Sequence, residues 1–328
     1  MPKCARMSEG IPLLVIVGPT AVGKSEVALC VARRLGGEIV SADSMQVYRH
    51  LDIGTAKPTA QERALVTHHL LDVVEPDQEY SVALYQREAE AAIAAAWERG
   101  HLPILVGGTG LYVRAVLEGL SFAAAPPHPA VRTRLEALAR EQGPGALHAL
   151  LAQVDPASAE RIHPRNLKRA IRALEVYYTT GMPISQLHAL DRAGPDRYNA
   201  LVFGLDMPRE LLYRRIDERV EEQLRRGLVA EVAWLLEHGC HERLVSMQGL
   251  GYRQLARYLR GESSLEEAVA ALKRDTRRFA KRQYTWFRAD PRVQWLDVTS
   301  LGGEQAVCDH IAAAAAALAA NQDTDRNS

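Results

Sequence analysis

Short apolar runs alternate with helical segments in the first third of the chain. Residues 13–17 and 102–106 are branched apolar runs bounded by turn residues, a pattern typical of buried strands. Residues 38–41 are predicted to form a second strand, and residues 26–35 and 83–99 have helical composition. This strand–helix–strand order favours a parallel sheet flanked by helices.

The pattern changes in the middle of the chain. Between residues 121 and 199 the sequence is rich in Ala, Pro and His, with helical periodicity and no strand-like run. Residues 201–205 look like a return to the sheet. We therefore predict an α/β core over residues 10–120 and 200–310, with an inserted all-helical subdomain over residues 121–199. The polar residues 321–328 are expected to form a disordered tail.

One segment carries a phosphate-binding signature. After the first predicted strand, and at the start of the first predicted helix, the chain satisfies the pattern G-x4-G-K-S. The residues of this P-loop are Gly18, Pro19, Thr20, Ala21, Val22, Gly23, Lys24 and Ser25. Its glycines let backbone N–H groups turn toward an anion, the helix N-terminus adds partial positive charge, and Lys24 supplies a full one. The pattern predicts a P-loop NTPase-like fold that grips phosphate, with the Ser25 hydroxyl on Mg2+.

The residues leave open whose phosphate is held. A kinase or NTPase would act on a γ-phosphoryl group and would need an acidic metal ligand after an apolar strand. The nearest candidate, Leu70-Leu71-Asp72, follows His68-His69 and lacks a long apolar strand. The same P-loop could instead hold the diphosphate of a substrate that is attacked at carbon. The residues alone do not distinguish γ-phosphoryl transfer from binding of such a diphosphate.

Composition and charge restrict the partners. The chain has 328 residues, with 40 Lys and Arg against 40 Asp and Glu, so a nucleic-acid site must be a local basic patch. Cys4, Cys30, Cys240 and Cys308 show no CxxC spacing, which argues against a disulfide framework or structural zinc and favours a reducing cytoplasm. The apolar run at residues 11–17 is too short for a secretory signal or a membrane span.

Further motifs follow the P-loop in one order. They are Asp43-Ser44-Met45-Gln46-Val47-Tyr48, Gly54-Thr55-Ala56-Lys57-Pro58, residues 68–72, residues 107–112 and Gly251-Tyr252-Arg253. Together with the P-loop they resemble the tRNA dimethylallyltransferase family, over a stretch from Gly18 to about Phe287 that includes His163-Pro164 and residues 169–175. No Cys/His cluster of zinc-ligand spacing follows Arg288, so the chain resembles the shorter, bacterial form of the family.

The resemblance implies a reaction and its partners. The family transfers a dimethylallyl group from dimethylallyl diphosphate to the N6 amine of adenosine 37 in the anticodon stem-loop of tRNA, giving N6-isopentenyladenosine. The resemblance also implies that the P-loop holds the diphosphate, that Mg2+ is the cofactor, and that the enzyme is a cytoplasmic monomer.

Several side chains are candidates for the chemistry. Asp43 follows the second strand, at the edge where parallel sheets place ligands; an isolated loop aspartate is more often a turn residue, but the family match favours a general base. Thr109 follows the third strand, and its hydroxyl could bind the amine or a diphosphate oxygen, or cap the next helix. Arg215 and Arg219, four residues apart on one helix, could clamp the diphosphate or pair with nearby carboxylates.

Two basic clusters indicate RNA binding. One lies around Lys168 in the insertion, and the other repeats basic doublets every four residues from Lys273 to Arg282. The aromatic residues that follow, Tyr284, Trp286 and Phe287, are expected in the core rather than stacked on bases. The residues assigned to tRNA binding are Asp43, Ser44, Met45, Gln46, Thr109, Arg132, Lys168, Arg169, Ala170, Ile171, Arg172, Gln248, Gly249, Leu250, Gly251, Tyr252, Arg253, Lys273, Arg277 and Lys281.

Three alternatives remain. An isopentenyltransferase acting on free adenine nucleotides would share the P-loop and Asp43 but would need neither the basic stripe nor the helical insertion. A small-molecule kinase ranks below it. A non-catalytic P-loop module that binds RNA ranks last.

Overall fold

The computed structural model describes residues 10–120, 128–192 and 197–326, and the side chains of the last two ranges are described up to residues 190 and 316. The strands are β1 (Ile11–Val17), β2 (Gly37–Ser41), β3 (His68–His69), β4 (Leu102–Gly107), β5 (Tyr198–Asp206) and β6 (Gln294–Asp297). The helices are α1 (Lys24–Leu35), α2 (Ala60–Leu65), α3 (Val82–Glu98), α4 (Gly110–Glu118), α5 (Pro129–Gln142), α6 (Pro144–Val154), α7 (Pro156–Arg161), α8 (Leu167–Thr180), α9 (Ile184–Arg192), α10 (Arg209–Arg225), α11 (Leu228–Glu237), α12 (Tyr252–Leu259), α13 (Leu265–Phe287) and α14 (Glu304–Arg326).

The strands of the described residues form one parallel sheet in the order β3-β2-β4-β1-β5-β6. Because side chains alternate along a strand, β1 feeds apolar residues to both faces. Leu14 and Ile16 pack with α1, α10 and α14, whereas Leu13 and Val15 pack with α3 and α4. This two-sided burial explains why β1 reads as an unbroken apolar run. The predicted α/β fold with a parallel sheet flanked by helices is confirmed.

The chain divides into two compact units, with boundaries after Leu117 and after Asp196. The first unit contains the sheet and a helical layer of α10 to α13 that has its own apolar core around Tyr252, Leu235 and Leu272. The second unit consists of helices in its described residues and packs around Leu147 and Leu151. Segment 121–127, at the expected start of the insertion, lies outside the described residues.

Three details differ from the sequence expectation. The strand expected at residues 201–205 begins at Tyr198, because Tyr198 to Ala200 pair with the N-terminal residues of β1. The edge strands β3 and β6 were not predicted, since two and four residues are too short to show a period. Helix α14 continues to Arg326, through most of the tail that was expected to be disordered, because an Ala-rich helix propagates easily once formed.

The prediction that no cysteines pair is wrong. Cys30 on α1 and Cys308 on α14 form a disulfide, 278 residues apart in sequence. Spacing rules detect cysteines that are close along the chain, whereas this pair is brought together only when α14 packs on α1. Cys240 is a free, buried thiol, and Cys4 lies outside the described residues.

Candidate active site

The P-loop joins the carboxyl end of β1 to the first turn of α1. Gly18 has φ +144°, and a Cβ there would lie 2.7 Å from the Leu205 carbonyl oxygen. Gly23 has φ +99° and immediately precedes Lys24, the first residue of α1. Both positions therefore require glycine, one for close packing and both for backbone conformation. The N-terminus of α1 points its free N–H groups into this loop, as the phosphate motif predicts.

Two cations face the P-loop. The Lys24 Nζ donates a hydrogen bond to the Pro19 carbonyl at 2.6 Å. Desolvation by the surrounding protein, reinforced by the Arg219 charge, lowers the pKa of Lys24 to about 8, although Asp43 and Glu26 act in the opposite direction. Burial also lowers the pKa of the Arg219 guanidinium, again against the charges of Asp43 and Glu26. Within the described part of the chain, Arg219 has no hydrogen-bond or ion-pair partner.

Arg215 and Arg219 differ although they lie on the same helix. The Arg215 Nη2 is 2.6 Å from the Glu304 Oε1, on the first turn of α14. A Cβ on Gly23 would lie 3.0 Å from the Glu304 side chain, so this ion pair lies against the P-loop. Arg219 thus acts on the Lys24 charge without an ion pair of its own among the described residues, whereas Arg215 is held by the Glu304 carboxylate.

Asp43 occupies the loop after β2. Its Oδ1 accepts hydrogen bonds from the Met45 N–H at 2.8 Å and the Gln46 N–H at 3.4 Å. These bonds orient the carboxylate, and its charge acts on both Lys24 and Arg219. In the residues that the structure describes, Oδ2 makes no hydrogen bond, so one oxygen remains able to accept a proton.

Thr109 ties two loops together. Its Oγ1 accepts a hydrogen bond from the Ser44 N–H at 3.0 Å and lies 3.3 Å from the Ser44 Oγ, while its N–H donates to the Ala42 carbonyl at 3.1 Å. Gly107 lets these loops approach, since a Cβ there would overlap the Ala42 backbone. The hydroxyl bonds the loop that carries Asp43, and none of the hydrogen bonds of the described residues runs from an α4 N–H to it.

Two side chains assigned to tRNA binding, Gln46 and Gln248, are bonded inside the protein. The Gln46 Oε1 accepts from the Ser41 Oγ at 2.9 Å, and its Nε2 donates to the Thr55 carbonyl at 3.2 Å. Gln248 donates through its side chain to the Glu242 carbonyl. Met45, however, approaches Gly249, where a Cβ would lie 2.7 Å from the Met45 Cε. The structure therefore brings segments 43–46 and 248–253 together, as a shared site requires.

The Gly54 motif is anchored from outside the P-loop region. The Glu231 carboxylate accepts hydrogen bonds from the N–H groups of Asp52, Ile53 and Gly54 at 2.7 to 3.1 Å. The Tyr252 hydroxyl donates to the same carboxylate at 2.6 Å. Sequence reasoning missed Glu231, because nothing in its helical surroundings distinguishes it from a solvated glutamate.

The candidate metal ligand of an NTPase is otherwise engaged. Asp72 forms ion pairs with the buried Lys57 at 2.6 Å and with Arg63 at 2.7 Å. These hydrogen bonds lower the pKa of the Asp72 carboxyl against the effect of burial. Asp72 therefore holds the Gly54–Pro58 segment in place instead of binding metal at the P-loop, which weakens the kinase alternative.

The basic residues of α13 divide into two sets. Lys273 pairs with Glu221 at 2.5 Å and Arg277 pairs with Asp217, so both lie against α10. Lys281 is exposed, and so are Arg274 and Arg278, the other halves of the doublets. The aromatic residues behave as expected, since Phe287 is buried and Tyr284 and Trp286 pack against the cores.

In the second unit, one buried carboxylate holds two of the predicted RNA contacts. Glu175 accepts from the Arg132 Nε at 2.7 Å and from the Arg172 Nη1 at 2.6 Å. Lys168 and Arg169 are exposed at the start of α8, whereas the side chains of Ala170 and Ile171 are buried in the core of this unit. Lys168 and Arg169 are therefore open to a partner, whereas the buried side chains of Ala170 and Ile171 are not.

Comparison with known proteins decides the family. A family model described as IPP transferase matches residues 46–290, and one described as Isopentenyl transferase matches residues 11–73. A tRNA dimethylallyltransferase from Pelotomaculum thermopropionicum is 54% identical over 301 residues, which are 92% of this chain and 95% of that protein. The chain belongs to the tRNA dimethylallyltransferase family.

Solved structures agree with this membership. The structure of a full-length tRNA isopentenylpyrophosphate transferase from Bacillus halodurans is 40% identical, with a TM-score of 0.70 over 97% of this chain and 99% of that one. A eukaryotic dimethylallyltransferase acting on tRNA is 28% identical, with a TM-score of 0.76 over 88% of this chain and 74% of that one. The predicted resemblance to the tRNA dimethylallyltransferase family is confirmed, and the free-nucleotide alternative is not favoured.

The predicted Mg2+ site has one candidate protein ligand, Ser25. No group of three or more His, Cys, Asp and Glu side chains in the described residues could hold a metal ion. Ser25 is exposed at the N-terminus of α1, next to Lys24. A single hydroxyl suits Mg2+ that takes its other ligands from phosphate oxygens and water. Among the described residues, no helix has the length and hydropathy that a membrane span needs.

Proposed function

We propose that this protein transfers the dimethylallyl group of dimethylallyl diphosphate to N6 of adenosine 37 in tRNA. The observation that carries the proposal is that Asp43, just past β2, and Arg219 of α10 lie close enough to Lys24 of the P-loop for their charges to act on one another. Two desolvated cations beside a glycine-rich helix N-terminus suit a diphosphate. A carboxylate next to them suits proton removal from the nucleophile, whereas Asp72 is not placed for γ-phosphoryl chemistry.

The reaction needs help at both ends. The N6 lone pair is delocalised into the adenine ring, so the amine is a poor nucleophile. As the new C–N bond forms, the C–O bond to the diphosphate breaks and the leaving oxygen takes its electron pair. Lys24, Arg219 and the backbone N–H groups of the P-loop stabilise the charge that develops on the diphosphate. Asp43 accepts the proton that N6 loses, and product release returns it to solvent.

Mg2+ fits this arrangement as a companion of the diphosphate. The Ser25 hydroxyl would hold it, with diphosphate oxygens and water as further ligands. Its contribution is additional positive charge on the leaving group. Thr109 and Ser44 hold the Asp43 loop in place while this occurs.

The RNA side is supported by exposed charge. Lys281, Arg253, Lys168 and Arg169 are exposed, and each could contact an RNA phosphate. An anticodon-loop base must leave its stack to reach the half-buried Asp43 carboxylate, so we propose that adenosine is flipped toward Asp43. We also propose that the enzyme acts as a monomer in the cytoplasm, where tRNA is found.

One labelling experiment tests the proposal. Purified protein is incubated with Mg2+, labelled dimethylallyl diphosphate and either unmodified tRNA or AMP, and the label is located by nuclease digestion. We expect label on an anticodon-loop adenosine and none on AMP. Label on AMP would replace tRNA with a free nucleotide as substrate. Label on neither, with tRNA still bound, would identify a binding module.

A further inference from the structure

A buried glutamine of α13 joins the two loops that hold the reactants. Gln283 is 5% exposed. Its Oε1 accepts a hydrogen bond from the Thr20 N–H of the P-loop at 2.9 Å, and its Nε2 donates to the Gly108 carbonyl at 3.0 Å. Thr20 and Gly108 are 263 and 175 residues away in sequence. No sequence motif marked Gln283, because it lies in a helix otherwise notable for its basic doublets.

The chemistry of the amide explains why this position is glutamine. A primary amide accepts at one end and donates at the other, at a fixed spacing. Here one end meets an N–H and the other meets a carbonyl, and the reverse orientation would oppose like groups at both ends. Glutamate has the same shape but no donor for Gly108, and methionine has neither partner. Both polar ends are satisfied, as a buried amide requires.

The contact is close enough to fix the loop. A Cβ on Gly108 would overlap the Gln283 amide nitrogen, and a Cβ on Gly110 would overlap the Trp286 ring one turn further along α13. Gly108 and Gly110 thus lie directly on α13. These two glycines serve close approach to the helix, whereas Gly107 serves close approach to the Ala42 backbone.

The bonds continue to Asp43. Gly108 precedes Thr109, whose Oγ1 holds the Ser44 N–H at 3.0 Å, and Ser44 follows Asp43. A continuous path therefore runs from the diphosphate loop through Gln283 to the general base. We propose that Gln283 is a positioning residue that sets the distance between the diphosphate in the P-loop and the amine at Asp43. This inference rests on the proposed function, because the spacing matters for a reaction between those two groups.

Substitution of Gln283 by Met tests the inference. Methionine fills similar volume without hydrogen bonds, so both loops lose their common anchor. Because a shift of about 1 Å in a reacting geometry costs about 10²-fold in rate, we expect kcat to fall by roughly that factor, with a smaller change in KM for dimethylallyl diphosphate and in tRNA affinity. Gln86→Met is the matched control, since Gln86 is a buried glutamine of α3 that bonds Glu90 within the same helix.

A second measurement separates this inference from the reaction itself. In Gln283→Met, amide hydrogen exchange should speed up both in the P-loop and in residues 107–112, whether or not tRNA is prenylated. Gln283→Glu keeps the size and the bond to Thr20, and it should speed exchange mainly at residues 107–112 and lower kcat as well. Unchanged exchange in both segments would overturn the proposal. So would a loss of kcat in Gln283→Met that Gln86→Met reproduces. If the wild-type protein transfers no dimethylallyl group but exchange is faster in Gln283→Met, the proposed function is refuted, while the role of Gln283 in holding the two loops stands.

Discussion

Glu38 near the start of β2 and Asp43 just past its end lie on opposite edges of the sheet, in opposite surroundings. Glu38 is 4% exposed and is bonded to Arg99, His69 and His101. The Arg99 hydrogen bonds, with those of the histidines, lower the pKa of Glu38 to about 2 despite burial. In the described residues Asp43 accepts hydrogen bonds only through Oδ1, from backbone N–H groups, and its charge acts on Lys24 and Arg219 without an ion pair.

The difference separates structural charge from functional charge. At the Glu38 edge each charged group has a protein partner, so the energy of the interactions goes into holding β2, β3 and β4 together. At the Asp43 edge two cations are desolvated, and no carboxylate of the described residues forms an ion pair with either of them, although the charges of Asp43 and Glu26 act on both. Such an arrangement costs stability in the empty protein and is relieved when an anion enters. Unsatisfied charge beside a helix N-terminus is therefore the stronger sign of a ligand site.

Loss of the Asp43 charge should have the largest effect. Asp43→Asn keeps the shape and the hydrogen bonds to Met45 and Gln46 but cannot accept the N6 proton at neutral pH. We expect kcat to fall by about 10² to 10⁴-fold, the usual contribution of a general base. Single-turnover rates with saturating tRNA measure it, and tRNA affinity should stay near that of the wild type. Near-native turnover would mean that another group takes the proton.

The charge of Lys24 should give the enzyme a basic limb in its pH profile. Because the pKa of Lys24 is about 8, the free enzyme loses this cation as pH rises above that value. We expect kcat/KM for dimethylallyl diphosphate to fall about tenfold per pH unit above the pKa. Lys24→Arg is the matched variant, since a guanidinium stays charged throughout. The Lys24→Arg variant should be less active overall, but its kcat/KM should stay constant from pH 8 to 10. If the variant keeps the basic limb of the wild type, a group other than Lys24 causes that limb.

The two arginines of α10 should differ in their effects. Arg219→Ala removes a guanidinium that faces the P-loop without a protein partner, and we expect kcat/KM for dimethylallyl diphosphate to fall by about 10 to 10²-fold, as for a charge-assisted hydrogen bond. Arg215→Ala breaks an ion pair with Glu304 and should cost several-fold less. Steady-state kinetics on both variants settle the order. Equal losses would show that Arg215 leaves Glu304 when substrate binds.

The sequence predicted the strands and loops that form the site better than the long-range hydrogen bonds and ion pairs that connect them. Buried strands, the P-loop and the placement of Asp43 after β2 depend on local pattern, and the structure has all of them. Gln283, Glu231 and the Glu304 partner of Arg215 act across more than 80 residues of chain and carry no local signature. The Cys30–Cys308 disulfide was missed for the same reason. Long-range pairing of polar groups is decided by packing, which a one-dimensional pattern does not contain.

Glu38→Gln should have the smallest effect of these substitutions. It should lower the free energy of unfolding and leave kcat almost unchanged. Its folded-state pKa lies below that of the unfolded chain, so the charged carboxylate stabilises the fold above about pH 4.5, and this stabilisation is lost as pH falls toward about 2. Because the side chains of Arg99 and His101 are 48% and 47% exposed, solvent screening limits the contribution to on the order of 1 kcal/mol. Urea unfolding at pH 7 should therefore show a less stable variant whose difference from the wild type narrows toward pH 3, while kcat per folded molecule stays within about twofold. A kcat loss in Glu38→Gln comparable to that of Asp43→Asn would break the contrast between the two edges, because it would mean that the fully paired carboxylate also governs the chemistry.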